Sequence, residues 1–117
     1  MEEKYVKDFD KWNEYTKIID AKSLCDNFSE REIWWCALGV NIGSEEDGKN
    51  EQFERPVIIF RKFGSNTSWI IPLSSRETNK ESRMHHSFIA NNLQQTAELA
   101  QLRLISNKEP RSKLTRY

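Results

Sequence analysis

The N-terminal segment carries an apolar residue at every third or fourth position, with charged residues between them. The residues that follow this spacing are Tyr5, Phe9, Trp12, Thr16 and Ile19. Because a helical turn takes about 3.6 residues, they would form one apolar stripe, and we predict an amphipathic helix over residues 3–20. The polar stretch 20–30 breaks this pattern and is predicted to be a linker.

Beyond residue 31 the chain changes to short apolar runs separated by polar turns. The clearest runs, rich in β-branched and aromatic residues, are 33–38, 56–60 and 68–73. This composition favours buried strands. The sequence Gly64-Ser65-Asn66-Thr67 is typical of a turn and would join the second and third strands as a hairpin. Residues 84–90 alternate loosely and are predicted to form a fourth strand.

The remaining segments are less regular. Residues 39–55 are predicted to form a long surface loop, a type of segment that often carries function, and residues 76–82 a charged loop. Residues 93–106 have the composition of a helix, yet the alternation around Arg103 fits a strand, so composition leaves both open. The basic tail 107–117 has no pattern and is predicted to be frayed.

Five short strands with turns between them indicate a mainly β fold, either a small barrel or a sandwich, with an accessory N-terminal helix. A chain of 117 residues suits one small domain, a size at which oligomerisation often helps stability. No apolar run approaches the roughly 20 residues that span a bilayer. The acidic start MEEKYVKDFD lacks the apolar region of a secretory signal, so a cytoplasmic location is expected.

Charge and cysteine usage narrow the chemistry. The net charge of +0 divides into −4 over residues 1–75 (10 basic, 14 acidic) and +4 over residues 76–117 (8 basic, 4 acidic). The second half could therefore bind phosphates, whereas indiscriminate coating of nucleic acid is disfavoured. Cys25 and Cys36 have no CxxC spacing and no nearby histidine, which predicts a reduced pair. We expect no metal site and no cofactor.

Four segments resemble, in order, motifs of the MazF/PemK family of toxins. They are the tryptophan strand and glycine loop at 32–48, the strand start Arg55-Pro56-Val57, the segment 72–75 and the late strand 100–105. Any one motif alone is weak, but the ordered combination over roughly residues 30–108 is specific. The resemblance implies a barrel domain over residues 30–117 after a helix and linker over 1–29, and it favours a strand over residues 96–106.

What the resemblance implies is a small SH3-like β-barrel that acts as the toxin of a type II toxin-antitoxin system. Such toxins are homodimers that bind single-stranded RNA across the two subunits and cut it at a short sequence motif. The 2′-hydroxyl attacks the adjacent phosphate, so the cutting step needs neither water nor a metal. A cognate antitoxin protein occupies the same groove and silences the enzyme.

Three residues match the family's catalytic positions. Arg55 matches the catalytic arginine, whose protonated planar guanidinium suits two phosphate oxygens; the alternative is a salt bridge to Glu54 or Glu45. Ser74 matches the catalytic threonine and keeps its hydroxyl donor; the alternative is a serine that ends a strand. Glu45 matches the loop glutamate, which would take the 2′-hydroxyl proton or orient Arg55; a solvated acidic loop is an equal alternative.

Five further residues are predicted to contact the substrate: Lys49, Ser75, Arg76, His85 and His86. The two histidines are the only ones in the chain, and on a strand their rings would face opposite sides. At most one of them could then reach the site, and surface residues of a strand are the favoured alternative. Three tryptophans, Trp34, Trp35 and Trp69, are predicted to be core residues, with base stacking as the less favoured role.

The sequence also departs from the family pattern. Serine replaces threonine at position 74, Glu46 replaces an amide, and residues 49–54 are inserted before Arg55. Two alternatives to a ribonuclease therefore stay open. One is a catalytically weakened barrel that binds RNA or an antitoxin, and the other is an unrelated small barrel that acts as a protein-interaction domain.

Overall fold

The structure is a computed structural model that describes residues 6–25, 27–39, 41, 48, 53–74, 85–90 and 93–116. Within these residues the chain forms one α-helix, seven strands and a short 3₁₀ turn, Leu99–Gln101. The elements are α1 (Phe9–Asp20), β1 (Glu32–Ala37), β2 (Glu54–Phe63), β3 (Thr67–Ser74), β4 (His85–Ala90), β5 (Leu93–Glu98), β6 (Arg103–Ser106) and β7 (Pro110–Arg116).

The helix α1 begins later than its apolar pattern predicts. Asp8 caps it: the Asp8 carboxylate accepts a hydrogen bond of 2.9 Å from the backbone nitrogen of Lys11, which satisfies a donor of the first turn. The prediction over residues 3–20 is therefore confirmed from Phe9 onward and wrong for residues 6–8, while Tyr5 lies outside the described residues. Of the predicted stripe, Ile19 is buried, whereas Phe9 is 49% exposed. Nowhere in the described part of the chain does a helix have the length and apolar composition to cross a membrane.

The strands form one antiparallel sheet in the order β4-β5-β3-β2-β1-β7. The predicted hairpin of β2 and β3 is confirmed, with Ile58 opposite Ile71. β3 has two partners along its length, because Thr67 to Ile70 pair with β6 and Leu73 and Ser74 pair with β5. Among the described residues no pairing joins β4 to β7, so the sheet is open, and the closed SH3-like barrel is not seen in this part of the chain.

The C-terminal tail and the segment before it differ from the predictions. Residues 110–116, predicted to be frayed, form β7, which pairs with β1 at Trp34↔Lys113 and Trp35↔Ser112. The main-chain groups of β1 need a partner on that side, and an edge strand can supply one without apolar side chains. The single strand predicted over residues 96–106 is also wrong, since the 3₁₀ turn divides it into β5 and β6.

Apolar side chains cover both faces of the central hairpin. One core cluster contains Phe28, Trp34, Cys36, Leu38, Val57, Ile59, Ile70 and Ile105. The other contains Ile33, Ile71, Leu73 and Ala97. Burial on both faces explains the nearly continuous apolar runs of β1, β2 and β3. Trp34 is core, as predicted, but Trp69 is 41% exposed and packs edge-on against Phe63 at 5.1 Å between ring centroids.

Candidate active site

Arg55 lies near the start of β2 and points its side chain across to β3. Its Nη1 donates a hydrogen bond of 3.0 Å to the carbonyl oxygen of Leu73, and the residue is only 8% exposed. Because the guanidinium is a rigid plane of five donors, this bond restricts the position of the whole group. The head of Arg55 is thereby attached to the end of β3.

Ser74 is the last residue of β3 and is half-buried. The observed β2–β3 register ends at Val57 and Pro72; continued by two residues, it would set Ser74 opposite Arg55, and the hydrogen bond of Arg55 to the Leu73 carbonyl agrees with this. Val57 belongs to the first core cluster, and side chains alternate along a strand, so Arg55 lies on that same face. The structure therefore brings together the two catalytic candidates, which are nineteen positions apart in the sequence.

A row of hydroxyl groups continues from Ser74 across the sheet. Ser74 pairs with Thr96 of β5, and Thr96 pairs with Ser87 of β4. The Ser87 and Thr96 hydroxyls lie 3.2 Å apart, and Thr96 is fully buried. The hydroxyl row, Ser74-Thr96-Ser87, thus ends beside Arg55. No motif predicts Thr96 or Ser87, because only the strand register shows that they are neighbours.

The residue before Arg55 makes a buried ion pair. Arg111 of β7 donates to both carboxylate oxygens of Glu54, with Nη2 at 2.8 Å from Oε1, and Nε binds Oε2. The Glu54 side chain is fully buried, whereas that of Arg111 is 46% exposed. These hydrogen bonds raise the pKa of Arg111. The sequence does not predict this pair, because residues 110–116 lack the apolar pattern of a strand.

The two histidines lie on opposite faces of β4, as predicted. His85 is opposite Glu98, and its Nε2 lies 2.8 Å from the carboxylate oxygen. It shares a face with Ser87 and therefore with the hydroxyl row. His86 lines a groove of about 580 Å³ on the other side of the sheet, together with Ile58 and Ile71. Of the two, only His85 is on the face of Arg55 and Ser74.

Four predicted site residues, Glu45, Lys49, Ser75 and Arg76, lie outside the described residues. The described part of the candidate site is therefore Arg55, Ser74, the hydroxyl row and His85. A protonated guanidinium next to hydroxyl donors is an arrangement suited to a phosphate group, since both kinds of donor form hydrogen bonds to its oxygens.

The fold and this site define a class: a small antiparallel β protein whose arginine and hydroxyl groups meet at the ends of neighbouring strands. Residues 29–116 match the family described as PemK-like, MazF-like toxins of type II toxin-antitoxin systems. Since the match covers most of the chain, the protein belongs to this family. No curated protein matches the sequence. The helix α1 precedes the matched region.

Proposed function

We propose that this toxin-family protein is a sequence-selective, metal-independent endoribonuclease that cleaves single-stranded RNA. The observation that carries the proposal is the convergence of Arg55 and Ser74 at adjacent strand ends, with the Arg55 guanidinium bonded to the residue before Ser74. Membership of the PemK-like, MazF-like family supports the same chemistry.

In the proposed reaction the 2′-hydroxyl attacks the adjacent phosphorus as the bond to the 5′-oxygen breaks. The products carry a 2′,3′-cyclic phosphate and a 5′-hydroxyl. Arg55 meets the negative charge that develops on the phosphate oxygens, and Ser74 donates a hydrogen bond to one of them. Glu45 takes the proton of the 2′-hydroxyl or orients Arg55. The leaving 5′-oxygen takes up a proton from solvent or from a nearby acid.

The rest of the proposal concerns binding. Lys49, Ser75 and Arg76 contact the phosphates near the cut. His85 contacts the RNA from the face that carries the hydroxyl row. His86 lies on the opposite face, so it contacts only RNA that passes around the edge of the sheet. The protein acts in the cytoplasm as a homodimer, with RNA across both subunits and a cognate antitoxin competing for the same groove. We further propose that residues 30–117 form the SH3-like barrel domain and residues 1–29 an added helix and linker.

Cleavage of a single-stranded RNA in the presence of EDTA tests this proposal. The wild-type protein should cut, and Arg55→Ala should lower the single-turnover rate by about 100-fold or more, as expected for loss of a charge-stabilising group. Arg61→Ala is a matched control, because Arg61 lies on the same strand with a side chain that is 60% exposed. A strict requirement for magnesium would overturn the mechanism.

A second candidate is a binding module in which the same site holds RNA or an antitoxin without cutting. The low exposure of Arg55, 8%, favours weakened chemistry, because the guanidinium would reach the phosphate poorly even when RNA or an antitoxin is bound on the surrounding surface. The serine at position 74 favours it as well. Tight RNA binding, together with no cleavage at saturating protein, would select this candidate over the ribonuclease.

A further inference from the structure

Phe53, two residues before Arg55, has an unusual backbone. Its φ is 56°, in the left-handed region that residues with a Cβ rarely adopt, and its side chain is buried. A bulky residue persists in such a conformation only where the surrounding contacts enforce it, and residues of this kind cluster at functional sites.

The Phe53 ring packs against two aromatic residues of α1. Its centroid lies 5.3 Å from that of Trp12 and 6.2 Å from that of Tyr15. The Phe53 carbonyl accepts hydrogen bonds of 2.9 Å from the Leu38 nitrogen and 3.0 Å from the Gly39 nitrogen. Ring contacts and backbone hydrogen bonds thus hold Phe53 from two sides.

Trp12 also packs against Gly39, one of the two residues that donate hydrogen bonds to Phe53. Gly39 has a φ of 74°, and a Cβ at this position would overlap the Trp12 indole. The indole therefore lies directly against the Gly39 backbone, which in turn is hydrogen-bonded to Phe53. One side chain of α1 therefore contacts the chain just after β1 and just before β2.

Three consecutive residues are each fixed by a different element. Phe53 is held by α1, Glu54 by Arg111 of β7, and Arg55 by the Leu73 carbonyl of β3. If the rings of α1 were removed, Phe53 could relax to an ordinary φ. Although Glu54 and Arg55 pair with Ala37 and Cys36 of β1, the changed entry into β2 is expected to shift the guanidinium of Arg55 by a small distance relative to Ser74.

We infer that Trp12 is a positioning residue that acts through Phe53 on Arg55. The helix α1 thereby helps to position the catalytic candidate Arg55. The inference rests on the proposed function, in which Arg55 acts on the RNA phosphate. It adds a contribution from a helix that precedes the family match.

The helix has a separate attachment to the sheet. The Nζ of Lys108 donates a hydrogen bond of 2.7 Å to the Asp20 carbonyl at the C-terminal end of α1, and the neighbouring Ile19 is buried. Substitution of Trp12 should therefore leave α1 attached at its other end. This makes Trp12 a suitable residue to change, since the variant is expected to keep its fold.

The experiment compares Trp12→Ala and Trp12→Phe with the control Ile18→Ala, whose side chain is 57% exposed on α1. Single-turnover cleavage of a short RNA is measured in EDTA, and affinity is measured with an RNA that carries a 2′-deoxy nucleotide at the cut. Trp12→Ala should lower the cleavage rate about 10- to 100-fold, the range expected for a displacement of about 1 Å. RNA affinity should not change, Trp12→Phe should recover most of the rate, and Ile18→Ala should match the wild type.

Hydrogen exchange provides the readout that does not depend on activity. The amides of Leu38 and Gly39, which donate to Phe53, should exchange faster in Trp12→Ala, while the buried amides around Ile70 stay protected. Equal cleavage rates in Trp12→Ala and wild type, or unchanged exchange at Leu38 and Gly39, would overturn the inference and leave the proposed function standing. Absence of cleavage by the wild type would overturn the proposed function and with it the effect of Trp12 on cleavage, while exchange still decides whether Trp12 holds Phe53.

Discussion

The Nη1 atom of Arg55 lies 3.0 Å from the carbonyl oxygen of Leu73, the residue next to Ser74. This hydrogen bond connects a side chain of β2 to the backbone that carries the candidate hydroxyl. It makes the positions of the two candidate catalytic groups interdependent, because movement of the end of β3 also moves the acceptor that orients the guanidinium.

Substitution of Ser74 tests the hydroxyl of this pair. Ser74→Ala removes the donor and should lower the cleavage rate by about 10- to 100-fold, on the low side of the loss seen when an oxyanion donor is removed. Ser74→Thr should equal or exceed the wild type, because a β-branched side chain restricts χ1 and holds the hydroxyl in place. Single-turnover kinetics measure both effects. Ser65→Ala, in the exposed turn between β2 and β3, is the control. Equal rates for Ser74→Ala and the wild type would exclude a catalytic hydroxyl at position 74.

The Glu54–Arg111 pair should stabilise the fold. Arg111→Ala leaves the fully buried carboxylate of Glu54 without this partner, which should cost about 3 kcal/mol of unfolding free energy. Urea denaturation measures this loss. The double variant Arg111→Ala/Glu54→Gln removes the buried charge and should recover part of the stability.

Arg116→Ala, near the end of the same strand, is the control for the loss of a basic side chain from β7. An Arg111→Ala protein as stable as the wild type would show that the pair contributes nothing, as is common for ion pairs open to solvent.

Glu109 should make stability depend on pH. Burial raises the pKa of Glu109 to about 7 from its usual value of 4.5, although Arg103 and the Ser106 backbone oppose the rise. Because the folded pKa is the higher one, the folded state holds the proton more tightly. Stability from this group is complete below pH 4.5 and is lost as the pH rises to about 7, by roughly 3 kcal/mol.

Glu109→Gln tests this dependence, because glutamine resembles the protonated acid. The variant should be more stable than the wild type at pH 8 and nearly equal to it at pH 5, as measured by urea denaturation. The groups that face Glu109 are Arg103 and Cys36 on the sheet and Asp20 and Lys108 beside α1. These groups are the same in both proteins, so the pH dependence of the difference arises from Glu109 and its interactions with them. A difference that does not change with pH would contradict the raised pKa.

The pKa of Glu32 is shifted in the opposite direction to that of Glu109. Burial alone would raise its pKa, but hydrogen bonds from Lys113, the Ser29 backbone and the Trp34 indole lower it. Its stabilising contribution is therefore present above its usual pKa and is lost as the pH falls. The pH range of the Glu109 experiment lies above this loss.

The amino-acid pattern predicts the centre of the sheet better than its edges. Most residues of the runs 56–60 and 68–73 are apolar because both faces of the central hairpin are buried, and so the runs can be recognised without a structure. β7 has no such pattern, because an edge strand needs only main-chain pairing to β1, and its polar residues stay exposed. The division of residues 93–106 by the 3₁₀ turn likewise leaves no clear periodic signal.

For the site, motifs identify residues but not their arrangement. Arg55 and Ser74 can be selected from segments that resemble a family, yet their proximity follows only from the β2–β3 register. The hydroxyl row through Thr96 and the contact of Trp12 with Phe53 arise from pairings between distant segments. No single segment contains that information, so it could not be predicted from the sequence.

The most direct test of the central claim is the chemistry of the cut ends. An RNA cleaved in EDTA by the wild-type protein should yield fragments with a 2′,3′-cyclic phosphate and a 5′-hydroxyl, identified by mass spectrometry. An RNA with a single 2′-deoxy nucleotide at the cut should resist cleavage, since it lacks the attacking group. Fragments with 5′-phosphate ends, or cleavage of the 2′-deoxy substrate at the same position, would contradict the proposed mechanism.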